Sequence, residues 1–82
     1  MPERMMLKGQ LSEYKRQHRQ LTVKLNGLIL QIRILANPHL PDLSQLKSEE
    51  ILSAAQQLHE SLTALTDVRE KITNLEGDLG VH

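Results

Sequence analysis

Eighty-two residues with ten basic and ten acidic side chains carry no net charge, and Tyr14 is the sole aromatic, so any core is aliphatic. The absence of cysteine excludes disulfides, thiol catalysis and cysteine-type zinc sites, and suits a reducing compartment. A core this small supplies only about 3–5 kcal/mol, which points to self-association or a partner.

The first element runs from about residue 3 to 36. Its apolar positions are Leu7, Leu11, Tyr14, Leu21, Leu25, Leu28, Ile32 and Leu35, an alternation of four and three broken only by His18. With Leu11, His18, Leu25 and Ile32 at heptad position a, and Leu7, Tyr14, Leu21, Leu28 and Leu35 at d, this is a coiled-coil seam. The same helix carries a second apolar stripe. Val23, Gly27, Leu30 and Ile34 follow the spacing i, i+4, i+7, i+11 at positions f and c, which a hairpin standing alone would keep polar. A helix apolar on two faces is buried on two faces, and Gly27 marks a place for another helix to come close.

Asn37-Pro38 and Leu40-Pro41 end the first helix and open a connection over 37–47. Leu40, Leu43 and Leu46 recur in it at steps of three and are expected to plug the end of the bundle, with a short helical turn near Asp42 to Leu46.

The second element is predicted over 48–76, with Ser48 as cap, Glu49 and Glu50 in the first turn, and Gly77 in the left-handed position beyond it, leaving a tail at 77–82. Its stripe reads Ile51, Ala55, Leu58, Leu62, Leu65, Val68, Ile72, Leu75 and Leu79. Two successive steps of three, Leu62 to Leu65 to Val68, predict a stammer in the repeat.

Charge is divided between the arms. Residues 1–40 hold seven cations against two carboxylates and residues 41–82 three against eight, a balance of +5 against −5. An antiparallel reversal near residue 42 would set Lys8 level with Glu76, Lys24 with Glu60 and Arg33 with Glu50. Such exposed pairs choose orientation more than they stabilise, at about 0–1 kcal/mol each.

The chain therefore reads as one all-α domain: two long helices in an antiparallel coiled-coil-like hairpin, expected to dimerise into a four-helix bundle through Val23, Gly27, Leu30 and Ile34. His18, polar at an a position, is read as a determinant of register, with pH sensing and metal capture as alternatives. No catalytic motif, histidine pair at helical spacing or phosphate loop occurs, so no enzyme activity, cofactor or metal is expected. Arg4, Lys8, Lys15, Arg16 and Arg19 form a basic series that could meet nucleic acid, although no aromatics are interleaved with it. Neither a signal peptide nor an apolar run of membrane-spanning length is evident, and a cytoplasmic location is expected. The leading function is a homo-oligomeric interaction or regulatory protein. An obligate helical subunit of a hetero-complex and a nucleic-acid-binding hairpin dimer are the alternatives.

Overall fold

The computed structural model describes residues 2–80; His82, the last of the four histidines, lies outside them. The chain forms two helices, α1 (Pro2–Leu35) and α2 (Ser48–Leu79), which pack side by side as an antiparallel hairpin, and no strand occurs among the described residues. The result is a rod, 64 × 16 × 15 Å.

α1 places its large apolar side chains as its repeat demands. Leu11, Leu25 and Leu28 are buried, Leu7, Tyr14, Leu21, Ile32 and Leu35 half-buried, and His18 sits half-buried among them. The Ala36 amide closes the last turn on the Ile32 carbonyl at 2.8 Å before the proline-containing connection begins.

Side chains cap the connection. Asn37 Oδ1 accepts the His39 amide at 3.0 Å, and Asp42 Oδ1 accepts both the amide and the hydroxyl of Ser44, at 3.0 and 2.7 Å. These bonds favour the ionised carboxylate and hold its pKa below the ordinary aspartate value. Asp42 thereby starts a one-turn 3-10 helix, Leu43–Gln45, where a short turn was expected. Leu40 and Leu46 are half-buried, but Leu43 points into solvent and is no plug.

α2 departs from its sequence reading in three ways. Its buried positions are Ala54, Ser61, Val68, Leu75 and Leu79, alternating with half-buried Ile51, Leu58, Leu65 and Ile72. This is an unbroken three-four repeat, with Ile51, Leu58, Leu65, Ile72 and Leu79 at a and Ala54, Ser61, Val68 and Leu75 at d. No stammer exists. Two helices sharing one seam must share its period, so the small Ala54 (2 % exposed) and Ser61 (4 %) face α1 while the larger Leu62 remains 47 % exposed, with Ala55 also outside. Second, Ser48 is the first helical residue and does not cap; Lys47 holds the cap position without a side-chain bond. Third, the helix runs through Gly77 to Leu79. Gly80, at φ 70°, takes the left-handed position and gives its amide to the Glu76 and Gly77 carbonyls, in the place expected of Gly77.

The register also differs. Leu11 packs with Leu75 and Leu79, and Lys15 Nζ lies 3.9 Å from Glu76, whereas a reversal at residue 42 would have set Leu11 beside Thr73. The offset is about five residues, or roughly 7 Å of helix. At this end of the rod Ile34, Leu35, Asn37 and Leu40 line a common groove with Gln45 and Lys47, so the connection folds back beside the end of α1 before α2 begins. None of the three expected ion pairs forms.

Candidate interaction surfaces

Two surfaces stand out. The first is the edge of α1 turned away from α2, where Val23 is 73 %, Leu30 57 % and Ile34 75 % exposed. Gly27 lies between them, and a Cβ built on it would meet no atom within 4 Å. Within one chain nothing approaches this glycine; the space above it is open. The whole predicted stripe is thus present and uncovered, with Val23 and Leu30 on the outer edge at f and Gly27 and Ile34 beside them at c.

The second surface is a groove between the helices, toward the end away from the connection. Lys15, His18 and Arg19 of α1 face Arg69, Ile72 and Thr73 of α2 across a volume of about 340 Å³, and no carboxylate lines it. In an antiparallel hairpin the e positions of the two helices adjoin, and their b positions flank them on the same side. Lys15 and Arg69 are both e; Arg19 and Thr73 are both b. His18 and Ile72 form the floor from the a positions, so the polar break in the seam opens directly into this groove.

Following the same frame along the rod, Lys8 and Arg33 join this face, and Glu76 is its one carboxylate among the described residues. The balance is +4. The opposite face, built from positions g and c, carries Lys24 and Lys71 against Glu3, Glu13, Glu50, Glu60, Asp67 and Asp78, a balance of −4. Charge is segregated by face, not only by arm.

Of the five basic residues singled out in the sequence, Lys8, Lys15 and Arg19 share the basic face. Arg16 does not: it sits at f, on the outer edge, where its guanidinium bonds both Glu13 carboxylate oxygens and holds that carboxyl below its ordinary range. Arg4 falls at an a position in the exposed first turns of α1. Arg69 was missed, because it belongs to the acidic arm. The signal that finds it is the corrected frame of α2, which puts it seven residues from both Leu62 and Glu76 at position e. On the acidic face Lys71 is engaged twice, by Asp67 at 3.1 Å and by the Tyr14 ring with its ammonium 5.4 Å from the centroid; the Asp67 bond is the main cause of its raised pKa.

Among the described residues no group of three or more His, Asp or Glu converges as metal ligands, and no helix is long and apolar enough to cross a membrane. No protein-family model, curated protein or solved structure matches the chain.

Proposed function

We propose that the chain is a non-catalytic interaction protein that pairs with a second copy of itself through the outer edge of α1, forming a four-helix assembly with the two α1 helices inside. The observation that carries this reading is the uncovered stripe of Val23, Leu30 and Ile34 around Gly27. Surface area gives it scale. A compact monomer of 9.4 kDa exposes about 5,000 Å², whereas this rod exposes 6473 Å². The excess, about 1,500 Å², exceeds the roughly 800 Å² that each partner buries in an interface of ordinary size.

Charge favours the same edge. A twofold pairing through either broad face would set like charges against each other, while the outer edge of α1 offers Val23 and Leu30 at f. Gly27 lacks a side chain at the centre of the stripe, so two helix backbones can cross there closely at the cost of about 1 kcal/mol of helix propensity. A reducing compartment such as the cytoplasm suits a chain without cysteine.

Light scattering across a dilution series, with helicity recorded at each concentration, tests the reading. The expected result is a dimer that dissociates and loses helix together. A stably helical monomer at every concentration would overturn it, and a poorly helical monomer would assign the stripe to a different protein.

A further inference from the structure

The basic face has a property its charge count alone does not convey: four of its five cations are unpaired. The ion pairs among the described residues are Arg16–Glu13, Lys71–Asp67 and Lys15–Glu76. The first two tie up cations of the outer edge and the acidic face. On the basic face Lys8, Arg19, Arg33 and Arg69 have no carboxylate within 4 Å, and Lys15 meets Glu76 only at 3.9 Å, near the limit of an ion pair. Of the seven cations without an ion pair among the described residues, these four share one side of the rod, while Arg4, Lys24 and Lys47 lie elsewhere.

We propose that this face binds the phosphodiester backbone of duplex nucleic acid, with the groove between Lys15, Arg19 and Arg69 as its central phosphate seat. The groove supplies two guanidinium groups and an ammonium from both helices, a Thr73 hydroxyl and the His18 ring, with no carboxylate in its lining and Glu76 beside it, 3.9 Å from Lys15. Along α1 the row from Lys8 to Arg33 spans about 38 Å of helix, the length of roughly eleven base pairs. The face carries no Phe, Tyr or Trp, and its one ring in the groove, His18, is half-buried on the floor; Tyr14 lies at the seam beneath Lys71 on the other side. The face thus offers no exposed large aromatic platform for base stacking, which favours a duplex backbone over a single strand and sequence-independent contact over base readout. A second copy's acidic face is the weaker partner, because Glu13 and Asp67 are already engaged by Arg16 and Lys71.

The test is fluorescence anisotropy of a labelled duplex of about 20 base pairs with the full chain, titrated in salt from about 25 mM, with scattering on the same samples. Binding is expected to weaken with salt at a log–log slope near −4, about 0.9 per phosphate neutralised. Arg69→Gln should weaken binding several-fold and reduce the slope by about one. Glu76→Gln, which frees Lys15, should tighten it. Lys24→Gln makes the same charge change as Arg69→Gln on the other face and should leave affinity within about twofold; Lys24 and Arg69 are exposed and Glu76 half-buried, and helicity checks each variant. No binding at the lowest salt would overturn the proposal. So would equal losses from Arg69→Gln and Lys24→Gln, which would mean that net charge alone matters, or growth in mass beyond a dimer without duplex that Arg69→Gln abolishes, which would make the acidic face of another copy the occupant.

Discussion

Leu62 and Ser61 are neighbours whose roles the fold reverses relative to their size, and exchanging their bulk tests the seam directly. Ser61 is 4 % exposed at a d position; Leu62 is 47 % exposed at e. Burying a leucine fully is worth about 1.5–3 kcal/mol, so Leu62→Ala, which removes a side chain only half out of water, should cost about 1 kcal/mol. Ser61→Leu forces extra carbons into the closely packed seam and should cost about 1–3 kcal/mol by overpacking. Ser61→Ala keeps the position small and should be neutral or slightly stabilising. Were Leu62 in the seam, the order would invert: Leu62→Ala would cost about 2–5 kcal/mol and Ser61→Leu would be near neutral. Urea unfolding followed by helicity, at one protein concentration for all variants, reads the difference against a total stability of only about 3–5 kcal/mol. A larger loss for Leu62→Ala than for Ser61→Leu would refute the unbroken repeat.

Four further outcomes are expected. Ile34→Ser removes a side chain that is 75 % exposed in the single chain from each of two protomers; if pairing buries it, the loss is about 2–4 kcal/mol and the dimer Kd rises roughly 30- to 700-fold by sedimentation. Gly27→Leu should weaken the dimer as well while leaving helicity in concentrated samples intact, since its Cβ meets nothing within the hairpin; an unchanged dimer affinity would dispose of the close approach. His18→Leu should raise thermal stability by several degrees and broaden the range of oligomers, and a less stable variant of unchanged stoichiometry would remove the register role. The Ser44 amide resonance should titrate with a midpoint below the ordinary aspartate value of 3.8, because the cap bond lowers the Asp42 pKa. The sign follows: the cap's stabilisation is present above that ordinary value and is lost as pH falls through the lowered one.

The sequence reports α1 well because its seam is made of large apolar residues at nearly every a and d position, so period and burial coincide. α2 misleads for the converse reason. Its seam contains Ala54 and Ser61 while Leu62 lies outside, and a reading that weights size follows Leu62 off the repeat. The constraint that recovers the frame is not local: a helix paired with α1 along its length must match α1's three-four period. Gly77 and Gly80 are equivalent as symbols for a helix end, and only the backbone angle at Gly80 distinguishes them. The register depends on the path of the connection, which proline positions terminate but do not route. Of the candidate residues, the outer stripe was legible because it lies on one helix, whereas the basic groove draws residues from both.

That difference explains what the chain's charge does. Counted along the sequence, +5 against −5 suggests arms that attract and neutralise each other, yet one ion pair, Lys15–Glu76, joins α1 to α2 among the described residues. Antiparallel packing sets e beside e and g beside g, and the cations of α1 at e meet the cation Arg69 as well as the carboxylate Glu76. Attraction across the seam is thereby partly cancelled, and most of the charge faces outward on two opposed sides. Exposed charges of this kind alter stability by no more than about 0.5 kcal/mol each. The hairpin is consequently held by its aliphatic seam, and replacing a surface charge should change what the rod meets rather than whether it folds.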